Sequence, residues 1–120
     1  MQVVPDSAAE VARRYAEAIN RQDVDAVMEL FADDAVWMGQ LAPPTAGKAS
    51  ITDLYRRLLE RKPDVRLGRQ ISEGNQSVIE LERFDRATGE RRIVALDHFM
   101  LDTAGKIERI HVYAPPKTNA

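Results

Sequence analysis

Few residues of this 120-residue chain carry chemistry, and the one most out of place is a carboxylate. The run Ile93-Val94-Ala95-Leu96-Asp97-His98-Phe99-Met100-Leu101 has no acidic or basic side chain besides Asp97 and His98. Burying an ionised carboxylate is costly unless it is paired or hydrogen-bonded, and a group without such partners keeps its proton. Asp97 therefore either sits at a bulge or strand edge beside an Arg or a backbone N–H, or stays protonated near neutral pH. In the second case it can donate a strong hydrogen bond to an oxygen on which negative charge develops. Tyr15 and Tyr55 are the other polar side chains that fall among apolar ones, each lying on the apolar stripe of a helical segment.

The rest of the composition removes whole classes of function. Seventeen Lys and Arg against nineteen Asp and Glu argue against a nucleic-acid or anionic-membrane partner, and no basic stripe interleaves with aromatics. With no cysteine there are no disulfides, thiol nucleophiles or zinc-thiolate sites. Met1-Gln2-Val3-Val4-Pro5-Asp6 has neither a basic nor an apolar signal-peptide region, and no apolar run is long enough to span a bilayer. A soluble, cytoplasmic, single-domain protein spanning residues 1–120 is expected.

Helices come first and strands second. Ser7-Ala8-Ala9-Glu10 reads as a capping box, followed by Val11, Tyr15 and Ile19 on one face of a helix to about Asn20. Asp23 can cap a short second helix with Val27, Leu30 and Phe31 inward, ended by Asp33-Asp34. Ala35 to Met38 is strand-like, and Gly39 to Lys48 is a loop. Ser50 and Asp53 open a third helix with Ile51, Leu54, Tyr55, Leu58 and Leu59 on its apolar face, stopped by Pro63. Four strands follow, roughly 65–71, 78–85, 91–101 and 106–113, with turn residues at Gly74-Asn75, Thr88-Gly89 and Ala104-Gly105. This order predicts an α+β fold with helices on one face of a meander sheet. The third of these strands is apolar on both faces, Val94, Leu96 and Met100 opposing Ile93, Ala95, Phe99 and Leu101. The uncovered face, with Ile79 and Leu81 alongside, predicts a homodimer.

The stretches Arg14-Tyr15, Asn20 to Val27 and Leu30-Phe31-Ala32-Asp33-Asp34-Ala35 resemble the ketosteroid isomerases. So does Ala95-Leu96-Asp97-His98-Phe99 followed by Ala104-Gly105-Lys106. Those enzymes belong to the nuclear-transport-factor-2-like superfamily, with the SnoaL-like polyketide cyclases and limonene-type epoxide hydrolases. The resemblance covers about Val11 to Tyr113. It implies a cone-shaped α+β barrel, N-terminal helices packed on a curved, mostly antiparallel sheet. It also implies an oxyanion hole in which the Tyr15 hydroxyl and a neutral Asp97 donate to a carbonyl oxygen becoming an enolate, with Tyr55 supporting Tyr15. That mechanism is the family's, carried over by resemblance. The chain departs from the family at Gly39, which stands where the general-base aspartate belongs.

A two-residue turn at Thr88-Gly89 would pair Glu82 with Ala95 and Glu80 with Asp97. Both glutamates would then share the face of Asp97 and could replace the base; a register change of one residue would instead leave them in water. A two-residue turn at Ala104-Gly105 places His98 opposite His111 on the other face, where a subunit contact is expected rather than a metal.

These readings predict a cofactor-free acid–base enzyme acting on a small apolar carbonyl or epoxide compound (a steroid, polyketide or terpenoid). Tyr15, Tyr55, Asp97, Glu80 and Glu82 are the candidate catalytic residues. Phe31, Trp37, Gly39, Phe99, Ile110 and Val112 are the candidate substrate-binding residues. The reaction is either isomerisation or the opening of an epoxide by a hydrolase or cyclase. A non-catalytic small-ligand-binding protein is the reading from a different class.

Overall fold

The computed structural model describes residues 8–40 and 42–115, so the Ser7 cap lies outside the described residues. Helix α1 (Ala8–Asn20) buries Val11, Tyr15 and Ile19, as the four-residue spacing requires, and lines its wet face with Arg13 paired to Glu10 and Glu17. The Asn20 side chain anchors the end of the helix: its Oδ1 accepts from Val65 N at 2.8 Å and its Nδ2 donates to Val65 O. One amide thus ties the end of α1 to the start of the meander.

Helix α2 (Val24–Glu29) is capped by Asp23, whose side chain accepts from Ala26 N at 3.0 Å. It stops earlier than its charges suggest. Strand β1 (Phe31–Met38) begins at Phe31, and Asp33-Asp34 lie exposed inside it at a break in register rather than at a helix end. Two bonds force this early turn to strand: Ile107 N donates to Leu30 O at 2.8 Å and Lys106 Nζ to Glu29 O at 2.6 Å. The expected loop to Lys48 holds a two-residue strand β2 (Thr45–Ala46), and helix α3 (Lys48–Glu60) starts two residues before Ser50.

Strands β3 (Arg66–Glu73), β4 (Gln76–Phe84), β5 (Arg91–Leu101) and β6 (Ile107–Tyr113) lie within two residues of the expected bounds. The sheet order is β2-β1-β6-β5-β4-β3, antiparallel throughout except for the parallel pair β1–β6. The expected barrel is open, because β2 and β3 are free edges of one curved sheet with the helices on its concave face. Gly89 and Gly105 turn the last two hairpins at φ 74° and 82°, a region where a Cβ is strained. No helix among the described residues is long and apolar enough to cross a membrane.

One irregularity decides which side chains reach the interior. Six residues, Asp85 to Glu90, make the β4–β5 turn, closed by Asp85 N donating to Glu90 O at 2.9 Å. Near that turn Phe84 pairs with Arg91 and Glu82 with Ile93; beyond it Leu81 pairs with Ala95 and Ile79 with Asp97. Val94 is the extra residue, a β-bulge that shifts the register by one and exchanges the faces.

Candidate active site

Asp97 is interior to the sheet, with Ile79 of β4 on one side and Val112 of β6 on the other, so it is at neither an edge nor the bulge. It is 1% exposed, has no cationic partner, and its Oδ1 has no hydrogen-bond partner. Loss of water pushes its carboxyl up to about 7, an effect the neighbouring Tyr15 hydroxyl partly opposes. At neutral pH a large fraction of this group is therefore the neutral acid.

Tyr15 comes down from α1 and Tyr55 from α3, and their hydroxyls meet at 2.7 Å in the buried space beside Asp97. The Tyr15 ring stands edge-on to Phe99 at 4.9 Å, and Tyr55 leans on Phe31 at 5.8 Å. These contacts leave each phenol little freedom to turn away. Burial raises both hydroxyls above the ordinary tyrosine value, with the nearby Asp97 adding to the rise, so both stay protonated. A fourth polar atom, Trp37 Nε1, is buried without a hydrogen-bond partner. It lies close enough to the Tyr55 hydroxyl to favour ionisation there, though the two do not complete a bond.

These four side chains line a cavity of about 340 Å³, within the roughly 300–1,000 Å³ usual for small-molecule sites. Ile19, Leu59, Leu81 and Val112 supply its apolar wall. Of the expected binding residues, Trp37 and Val112 reach this wall. Phe31, Phe99 and Ile110 lie behind it as fully buried core, two of them bracing the tyrosines. Gly39 is outside the wall: a Cβ there would stand 3.0 and 3.1 Å from the Trp37 ring, so the indole fills the space into which a longer residue 39 would project.

Glu80 and Glu82 point the other way, which corrects the expected register. The bulge at Val94 sets Glu80 opposite Leu96 and Ile79 opposite Asp97. On the outer face Glu80 is held by Arg69 at 2.8 and 3.1 Å, which keeps its carboxyl below the usual range. Glu82 folds over Gly68, where a Cβ would come within 2.8 Å of it. The same alternation carries Ile79 and Leu81 inward, so they are core and not part of the outer apolar face. Val94 moves to the cavity as well, while Ile93 moves out. The other hairpin matches its expected register: His98 faces His111 with ring centroids 6.0 Å apart, on the face opposite Asp97. His98 Nε2 bonds Gln76 Oε1 at 2.8 Å, and no cluster of three or more metal-ligating side chains occurs among the described residues.

The model of the SnoaL-like domain matches residues 12–110. The chain belongs to this family. Solved structures share the fold of this SnoaL-like chain at low identity. The epoxide hydrolase/cyclase-like enzyme SalBIII, which acts in pyran ring formation in the polyether salinomycin, is 22% identical with a TM-score of 0.75, over 90% of each chain. A candidate polyketide cyclase from Sinorhizobium meliloti is 21% identical with a TM-score of 0.71, over 91% of this chain and 94% of the other. An NTF2-like protein of unknown function from Cytophaga hutchinsonii is 16% identical with a TM-score of 0.73, over 97% and 96%. At such identities the likeness establishes the NTF2-like fold and leaves the reaction to the residues of the site.

Sequence reasoning missed three side chains at the cavity mouth: Arg61 at the end of α3, Asp64 after it, and Arg83 on β4. Arg83 continues the inward row of Ile79 and Leu81, and that period of two was the available signal.

Proposed function

We propose that this SnoaL-like chain is a cofactor-free acid catalyst in which neutral Asp97 and the Tyr15 hydroxyl donate to the oxygen of a small apolar substrate. The reading rests on one observation above the others: a buried carboxyl with no cationic partner and a free Oδ1, facing an apolar cavity beside two tyrosines. Tyr55 orients Tyr15 through the 2.7 Å bond. Trp37 Nε1 is a further donor available to the substrate oxygen.

The chemistry that asks least of a base is epoxide opening by an internal or external hydroxyl. The Asp97 proton passes to the epoxide oxygen as its C–O bond breaks, the hydroxyl forms the new C–O bond, and its released proton returns to Asp97 through solvent at the mouth. Ketosteroid-type isomerisation instead needs a carboxylate poised over the substrate carbons. Among the described residues the carboxylates lining the cavity are Asp97 and, at the exposed rim, Asp64. The same scarcity of carboxylates favours the second reading, a binding protein that holds an oxygenated apolar ligand without turning it over.

A screen of hydroxy-epoxides and steroid enones, followed by mass spectrometry, tests these readings. Hydroxy-epoxide turnover that falls by ~10²-fold in Asp97→Ala is expected, as for loss of an oxyanion-hole donor. Enone isomerisation would restore the isomerase reading, and tight binding without turnover would favour the second. The reading includes a homodimer formed through the outer face, where Leu96, Ile93 and Tyr113 are 38–43% exposed. Light scattering showing a monomer at micromolar concentration would refute the dimer.

A further inference from the structure

The mouth of the cavity differs in kind from its interior. Arg61 and Arg83 line it, and neither guanidinium has an ion pair or side-chain hydrogen bond among the described residues. Arg13, Arg14, Arg56 and Arg69 have carboxylate partners, whereas most other arginines have none among the described residues; what sets Arg61 and Arg83 apart is that both line the cavity that holds Asp97. Arg83 is also directly opposite Arg92 across the β4–β5 ladder, so the two share a face. Like charges in that position destabilise a sheet. Against them stand Asp64 on the same rim, and Asp85 and Glu90 beside Arg83 and Arg92 at the turn. None of these carboxylates forms an ion pair with Arg61 or Arg83 within 4.0 Å.

The backbone around Arg61 is also fixed. Arg61 closes α3 by donating its N–H to Leu58 O at 3.3 Å, and Lys62 turns the chain at φ 50° before Pro63. The guanidinium is therefore based on a defined helix end. Arg83 is four residues along β4 from Ile79, the residue opposite Asp97. At about 3.3 Å per residue that is on the order of 13 Å of strand. An apolar passage with neutral donors at its deep end and two uncompensated guanidiniums at its mouth matches one kind of molecule.

We infer that the ligand of this site is an elongated apolar acid, with its reacting oxygen at Asp97 and a carboxylate held at the mouth by Arg61 and Arg83. The inference rests on the reading of Asp97 as donor and adds the substrate class to it. The two guanidiniums orient the molecule end-on, so the carbonyl or epoxide oxygen and not the carboxylate enters the buried end.

Calorimetric titration with 9-oxodecanoate, its methyl ester and the short 4-oxopentanoate tests the inference. The wild-type protein is expected to bind 9-oxodecanoate about fivefold more tightly than the ester, the worth of ion pairs to two exposed arginines. The short acid, unable to span the passage, should bind no better than the ester. In the Arg61→Gln/Arg83→Gln double variant the acid should fall to the ester's affinity, with the ester unchanged. Equal affinity for acid and ester in the wild type overturns the inference, as does a preference that persists in the double variant. Binding of neither long compound up to millimolar concentration overturns it too. Asp97→Ala separates the two readings: it should weaken acid and ester alike. If it weakens neither while the arginine effect remains, the mouth stands and the Asp97 donor reading falls.

Discussion

Asp97 and Glu80 lie on neighbouring strands, one residue out of register with each other, and the sheet gives them opposite chemistry. Asp97 faces the cavity, has no cation near it, and is held up to about 7 by loss of water. Glu80 faces outward, is gripped by Arg69 and stays ionised below the usual range. The carboxyl groups are alike; the surroundings differ through the single extra residue Val94. A carboxylate's role in this fold is set by which side of a bulge it falls on.

The widest separation between the two faces should appear in stability. The folded state keeps a proton on Asp97 that the unfolded chain, with its carboxyl near 3.8, releases. Stability from this group is thus full below pH 4, falls as pH rises to about 7, and is level beyond. The span is on the order of 4 kcal/mol. Asp97→Asn carries no such proton, so urea unfolding should show it matching the wild type at pH 4 and exceeding it at pH 8. A variant less stable than wild type at pH 8 would mean that the buried carboxylate has a compensating partner.

The next effect is on the donors. Tyr15→Phe removes the hydroxyl that both donates to the proposed substrate oxygen and restrains the rise of Asp97. Turnover should drop by ~10²-fold, and the Asp97 midpoint should move further up. Tyr55→Phe acts only through Tyr15, so its loss should be several-fold smaller. Equal losses in the two variants would place Tyr55 on the substrate itself.

What could be read from the residues divides along the same line. The apolar faces of α1 and α3 and the bounds of the four meander strands were legible, and a charge within an apolar run narrowed Asp97 to two readings, paired at an edge or bulge or buried and neutral, of which the structure has the second. The His98–His111 pairing was legible from its turn. The bulge was not, because Ile93, Val94, Ala95 and Leu96 are all apolar and offer no alternation that a one-residue slip would violate. Asp33-Asp34 misled for a related reason: the acids suit a helix end, and only the distant bonds from Lys106 and Ile107 make them part of a strand. The mouth joins Arg61 and Arg83 across 22 residues of chain, from a helix end and a strand, so no local motif marks it.

On the outer face the expected effects are small. Glu80→Gln loses an ion pair whose arginine is largely exposed, so its cost in stability should be small and turnover should be unchanged. A tenfold loss of turnover in Glu80→Gln would bring that residue back into the site and contradict the β4–β5 register.

The most direct measurement tracks the Asp97 carboxyl itself, by carbon-detected NMR or the infrared carboxyl stretch, with Asp97→Asn identifying the signal. The account predicts a midpoint near 7, with the neutral acid still present at physiological pH. A midpoint near 4 would make Asp97 an ordinary buried anion at working pH, and the proposed donor would not exist.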